Sequence, residues 1–272
     1  MKLGLIGYGY WGKILYKNII NITSSEVEIF DTGHDIGEIK KIYECSHVFV
    51  ATPATTHKEI VEDLLSKKIN VFCEKPLVLN KPSVNCLYKL AEKNKVKLFV
   101  DWTFLFNDAV NEIKRQFETG ELGKIRSVRM NRLNSGPERH DVSAKWDLSS
   151  HDVSILQYIF NEFPNKITWM EKKRNSKSFK NDTCIGILEY LNFDAIIHSS
   201  WEYSIKDREC IFEFDAGVLR WDDNSNTMSI NRSPIDFKKN NSPLENSIKS
   251  FLYEKIDQKK LTTQVTEIME CE

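Results

Sequence analysis

The chain has 272 residues, 41% of them hydrophobic and 28% charged, with a formal net charge of −1. That length allows a well-buried core in one large domain or two moderate ones, and so even a charge balance leaves no electrostatic footprint for nucleic acid or an anionic membrane surface. No stretch approaches the roughly 18 apolar residues of a membrane span. The six cysteines (Cys45, Cys73, Cys86, Cys184, Cys210, Cys271) are scattered. Without a Cys-x-x-Cys pair or a Cys/His cluster, they argue against a disulfide scaffold and against a metal site. The chain runs at once into Leu3, Leu5 and Ile6, which leaves no room for a secretory leader, so a cytoplasmic protein is expected.

In chain order, short β-branched runs alternate with helix-period segments, the pattern of βαβ units on a parallel sheet. Strands are predicted at 2–6, 27–30, 47–51, 70–73 and 97–100, with helices over 58–66 and 81–92, the latter capped by Asn80 and carrying Pro82 in its first turn. The first predicted strand leads into Gly7-Tyr8-Gly9-Tyr10-Trp11-Gly12. In this Gly-x-Gly-x-x-Gly between strand and helix, Gly7 permits the turn, Gly9 admits a pyrophosphate to the backbone, and Gly12 allows close helix packing.

Nineteen residues after Gly12, at the end of the second strand, stands Asp31. A carboxylate there suits the 2′-hydroxyl of a ribose and repels a 2′-phosphate, which favours NAD and disfavours NADP. Between Asp31 and the third strand only one helix fits, over 36–44. One βα unit is therefore expected to be trimmed from the sheet edge that would hold the adenine.

After Asp101 the rhythm changes. A helix is predicted over 107–118, a turn at Gly120 to Gly123, a strand over 125–133 and a helix over 151–160. Alternating runs at 167–173, 185–190, 195–201, 210–214 and 218–221 then predict a largely antiparallel sheet with one covered face. The tail from Leu244 to Glu270 reads as helical, with a stripe of Ile248, Phe251, Leu252 and Ile256. The expected division is a doubly wound domain over 1–103 and an α+β domain over 104–272.

Two further blocks are distinctive: Ala51-Thr52-Pro53-Ala54-Thr55-Thr56-His57, and Cys73-Glu74-Lys75-Pro76-Leu77. With the glycine loop and Lys145-Trp146-Asp147-Leu148-Ser149-Ser150-His151-Asp152, they resemble the glucose-fructose oxidoreductase and inositol dehydrogenase family (Gfo/Idh/MocA). The last block is similar to a branch associated with nucleotide-sugar and surface-polysaccharide pathways. The resemblance implies an α/β protein in which a Rossmann domain precedes an α+β domain whose open sheet mediates a homo-oligomer, a dimer or tetramer. It also implies exchange of hydride between nicotinamide and a hydroxyl or keto carbon of a sugar or nucleotide-linked sugar. Lys75 matches the family's catalytic lysine, and Asp147 and His151 match its Asp-x-x-x-His pair. Departures are the trimmed cofactor edge, a short C-terminus, and Asp101 where many relatives carry glycine-histidine.

These residue types suit the chemistry. Oxidising a secondary alcohol needs a base for the hydroxyl proton, which His151 can be, and a donor to the developing alkoxide, which Lys75 can be. Lys75 is itself an alternative base, since burial can lower a lysine pKa. Thr52, Pro53, His57, Glu74 and Lys75 join Gly7, Tyr8, Gly9, Tyr10, Trp11, Gly12 and Asp31 as candidate cofactor contacts, with His57 equally readable as structural. Arg132, Asn134, Arg139 and Trp146 join Lys75, Asp147 and His151 as candidate substrate contacts, the guanidinium forks suiting a phosphate or carboxylate. Two other readings fit the same residues: a regulatory protein that binds a dinucleotide or sugar without turnover, and an NAD-assisted glycoside hydrolase.

Overall fold

A computed structural model of the chain describes residues 1–239 and 242–272. The described residues fall into two compact units, the first built from 1–103 with 242–266 and the second from 104–239 with 267–272.

The first unit opens with β1 (Leu3–Ile6), α1 (Tyr10–Thr23), β2 (Val27–Phe30), α2 (Ile39–Ile42), β3 (His47–Val50), α3 (Ala54–Ser66), β4 (Asn70–Cys73), α4 (Lys81–Asn94) and β5 (Leu98–Val100). Its strands lie in the order β2-β1-β3-β4-β5, all parallel. β1 is buried at every position, as expected of a strand covered on both faces. Because the chain passes from β1 to β2 on one side and to β3 on the other, the sheet has a switch point beyond Ile6, where open α/β sheets bind ligands. Asn80 caps α4 by accepting from the Ser83 amide at 2.9 Å, with Pro82 in the first turn.

The helix predicted over 36–44 shrinks to the single turn of α2. The residues before it make a tight turn instead, in which Asp31 and Ile36 exchange two backbone hydrogen bonds of 3.0 Å. Gly37 follows at φ 73°, with Ile29 O at 1.9 Å from where a Cβ would sit. A left-handed residue so close to β2 prevents the helix from starting earlier.

The second unit contains α5 (Asp108–Thr119), β6 (Ile125–Ser135), a π-helical turn (Lys145–Ser149), α6 (Ser150–Phe160), and strands β7 (Lys166–Lys172), β8 (Thr183–Glu189), β9 (Asp194–Ser200), β10 (Glu202–Asp207), β11 (Glu209–Phe214), β12 (Gly217–Asp222), β13 (Thr227–Ile230) and β14 (Ser233–Ile235). The sheet order is β14-β13-β12-β11-β6-β9-β8-β7, with β10 also beside β6. β6 and β9 are parallel and the other pairs antiparallel. Phe160 of α6 lies against Phe193 and Phe212, with ring centroids at 4.7 and 6.5 Å, so α6 covers one face. The strands that sequence reading missed, β10, β13 and β14, bury few side chains and so lack the alternation that reveals a strand.

The tail forms two helices, α7 (Pro243–Tyr253) and α8 (Lys259–Glu270), with Ile256 in the break between them. Ser242 caps α7 by accepting from Glu245 N at 3.2 Å. Phe251 seats its ring among Phe49, Phe72 and Phe99, at centroid distances of 5.3, 5.6 and 5.8 Å. Gln258 Oε1 accepts from Val100 N at 2.8 Å, and Thr262 Oγ1 accepts from Trp102 Nε1 at 3.0 Å. The grouping of 104–272 into one domain is corrected accordingly: most of the tail completes the first unit.

Candidate active site

The first cluster of candidate residues surrounds the glycine loop. Gly7 has φ 94°, and a Cβ there would stand 2.6 Å from Ala51 O; a Cβ on Gly12 would stand 2.0 Å from Gly7 O. Both positions therefore exclude a side chain, whereas Gly9 has no atom within 4 Å of where a Cβ would sit. The first turn of α1 holds no acidic residue, and Gly9 gives it no side-chain cap, so its amides remain available to an anion. A cavity of about 730 Å³ is lined by Gly7, Gly9, Asp31, Thr52 and Pro53, with Tyr43 on its wall. An open glycine cradle, uncapped amides and a carboxylate on one cavity fit the pyrophosphate and ribose of a dinucleotide.

Asp31 is fixed before any ligand arrives. Its carboxylate accepts from Tyr8 N and from His34 N, the latter at 2.9 Å, and lies 3.1 Å from His34 Nδ1. Burial alone would raise this carboxyl, but the hydrogen bonds outweigh it and hold it below the usual aspartate range. It is thus an anion at neutral pH, and a carboxylate has lone pairs left for a ribose hydroxyl.

The remaining first-unit candidates divide. Tyr10 is 84% exposed, and Trp11 turns its indole N–H to the Glu74 carboxyl. Glu74 and Lys75 follow β4 directly, and the Lys75–Pro76 peptide is cis. Of the two readings of His57 the geometry favours the structural one: it is wholly buried, with Nδ1 at 2.8 Å from Pro76 O and Nε2 at 2.9 Å from Thr52 O. It ties the loop at Thr52 to the loop at Pro76.

The second cluster, in the second unit, is built on the π turn. Ala144 and Leu148 pack with the buried Trp201, Ser149 Oγ donates to Ser199 Oγ at 2.9 Å, and Lys145 Nζ donates to Cys271 O at 2.8 Å. The π turn passes straight into α6, so Asp147 sits in the wider turn and His151 in the first α turn, about one turn apart. Trp201 Nε1 donates to Asp147 Oδ2 at 3.3 Å, and Arg139 Nη1 lies 3.6 Å from Asp147 Oδ1. The Arg139 fork is bidentate on Asp141, at 2.9 and 2.8 Å. His151 meets the edge of Phe104 at 5.0 Å.

Arg132 departs from its expected role as a substrate contact. It is 3% exposed and donates from Nε and Nη2 to Asp152 Oδ1, at 3.1 and 2.7 Å, while its guanidinium covers the Phe104 ring at 4.5 Å. Burial lifts the Asp152 carboxyl, and the guanidinium opposes that lift. Arg132 is thus the floor beneath Phe104 and His151. Asn134 braces its own loop by donating to Gly136 O at 2.7 Å, and Trp146 is half-buried. Sequence reading missed Trp201 and Asp152 as partners, the former because nothing in its strand context sets it apart from a core residue.

Two family profiles match this chain in succession: the oxidoreductase family with an NAD-binding Rossmann fold over residues 19–102, and the GFO/IDH/MocA C-terminal domain over residues 110–220. The chain belongs to the Gfo/Idh/MocA family. Among its Gfo/Idh/MocA relatives, the myo-inositol 2-dehydrogenase of Thermotoga maritima is 30% identical over 185 residues, covering 60% of this chain and 55% of that enzyme. The matched part of this chain thus spans about half the length of that relative. In fold it is similar to the UDP-N-acetylglucosamine 3-dehydrogenase GnnA of Acidithiobacillus ferrooxidans, with a TM-score of 0.85 at 18% identity over 99% of this chain and 95% of that one. An inositol dehydrogenase homologue from Azotobacter vinelandii, solved with NADH and myo-inositol, superposes with a TM-score of 0.77 at 17% identity over 98% and 86%. Among the described residues no helix is long and apolar enough to cross a membrane, and no group of three or more His, Cys, Asp or Glu could hold a metal ion.

Proposed function

We propose that this Gfo/Idh/MocA protein is an NAD-dependent dehydrogenase or reductase acting on a sugar or a nucleotide-linked sugar. The observation that carries the reading is the convergence of Gly7, Gly9, Asp31, Thr52 and Pro53 on one cavity at the switch point of the parallel sheet. NAD, when bound, supplies the hydride acceptor. Gly9 and the first amides of α1 would hold the pyrophosphate, and Asp31 would accept from the ribose hydroxyls and disfavour a 2′-phosphate. Lys75 donates to the substrate oxygen and steadies its developing charge, and His151 takes the hydroxyl proton. Asp147, held by Trp201 and Arg139, orients the sugar or the imidazole.

The reading extends to assembly and setting: a homo-oligomer in the cytoplasm, formed through the second unit's sheet. Ile187 of β8 and Ile196 of β9 are register partners and are 40% and 43% exposed, a paired apolar patch on the uncovered face. Light scattering should give a dimer or tetramer that Ile196→Lys dissociates; a monomeric wild type would remove this part of the reading.

The experiment on the activity itself is a panel of sugars and nucleotide sugars assayed with NAD and NADH. Lys75→Ala and His151→Asn should each lower turnover by at least about 100-fold, the size of one acid–base or charge-stabilising group. Turnover indifferent to both would overturn the assignment.

A further inference from the structure

Two acids are forced together at the edge of the first cluster. β4 and β5 are parallel neighbours with Cys73 opposite Val100, and Asp101 N donates to Cys73 O at 2.9 Å. The next residues of each strand, Glu74 and Asp101, therefore leave the sheet side by side, close enough for each carboxyl to act on the charge of the other. Asp101 is wholly buried. Its Oδ1 accepts from Ser247 Oγ of α7 at 2.6 Å, while Oδ2 has no donor if both acids are ionised. Glu74 accepts from Trp11 Nε1 of α1.

Two ionised carboxylates side by side, one of them wholly buried, repel, and a buried acceptor without a donor is costly. One proton on Glu74, given in a hydrogen bond to the Asp101 carboxylate, removes both penalties. We propose that Glu74 and Asp101 act as a single-proton acid pair whose one negative charge faces Lys75 and positions its ammonium. The proposal rests on the reading of Lys75 as a catalytic group.

The electrostatics agree with the geometry. Burial, then the charge of Asp101, drives Glu74 well above the usual carboxylate range. Burial raises Asp101 to about 6 against the hydrogen bonds of Ser247, Thr103 and Glu74 and the charge of Lys75. Trp11, Thr103, Ser247 and the Cys73 thiol, which burial pushes up, stand beside the pair without a charge. Above about pH 6 the pair carries one charge; below it a second proton enters and the charge beside Lys75 disappears.

Infrared spectroscopy and pH–rate profiles on the full-length protein test this. At pH 8 the wild type should show the carbonyl band of an un-ionised carboxylic acid, which Glu74→Gln removes. A second carboxyl should titrate near pH 6 and be missing in Asp101→Asn. kcat/KM should fall on the acid side near pH 6 in the wild type. Asp101→Asn should lower it about tenfold at pH 8 and erase that limb. Ser247→Ala, a milder change that removes one donor to Asp101, should move the limb to higher pH. Absence of the pH 8 band, or its survival in Glu74→Gln, overturns the shared proton; an acid limb unchanged in both Asp101→Asn and Ser247→Ala overturns the positioning role. A protein with no turnover counts against the proposed activity, and the two infrared results still decide the pair.

Discussion

The glycine loop and the stretch from Arg139 to His151 both present polar groups at a cavity or surface, yet they are held by opposite means. The loop is held by backbone: Gly12 is packed against Gly7 O and Gly7 against Ala51 O, leaving only one way for the chain to turn. The second stretch is held by side chains that arrive from elsewhere, namely Trp201 on Asp147, Ser199 on Ser149 and Asp152 on Arg132 beneath Phe104. A backbone-held site fails all at once when one glycine gains a methyl group. A site held by side chains loses its parts separately, in proportion to each contact.

The largest effect should come from the floor of the second region. Arg132→Met leaves Asp152 charged or newly protonated in a wholly buried position, and should destabilise the protein by about 3–5 kcal/mol in urea unfolding. A change under about 1 kcal/mol would show that the pair does not support this region. Next is Gly12→Ala, which drives a methyl group into Gly7 O and should destabilise by about 1–3 kcal/mol. It should also weaken NADH binding at least about tenfold in a fluorescence titration.

Trp201→Phe should be gentler. Loss of one donor to Asp147, about 0.5–1.5 kcal/mol, should reduce kcat/KM roughly three- to tenfold and leave NADH affinity unchanged; a change in NADH affinity would erase the contrast between the regions. The smallest effect concerns Asp31, whose folded carboxyl lies below the unfolded value. Its contribution to stability is present above the unfolded pKa and is lost as pH falls through the lower folded one. Wild type and Asp31→Asn should therefore differ in urea midpoint at pH 6 and converge toward pH 3.

What could be read from sequence follows the same contrast. The glycine spacing, the acid at the end of β2 and the Asn80 cap are local, so their residues lie within a few turns of the structure they determine. The Asp-x-x-x-His spacing was legible, but the π turn beneath it was not, because it is set by Trp201 and Ser199, some 50 residues away. Arg132 and Arg139 look alike in sequence; only the tertiary fold buries one against Asp152 and leaves the other beside Asp147. The shrinking of α2 was half legible, since the shortage of residues after Asp31 was visible and the turn that Gly37 enforces was not.

The return of α7 to the first unit has a consequence for how the chain is made. Phe49, Phe72 and Phe99 are synthesised early, but the ring that fills the space among them belongs to Phe251. During vectorial synthesis the nucleotide-binding unit must therefore wait, with that apolar surface open, until Phe251, about 150 residues beyond Phe99, has been made. Contacts so distant in sequence close slowly. A fragment ending near residue 103 would carry every glycine of the loop and still lack the ring that fills the space among its own phenylalanines.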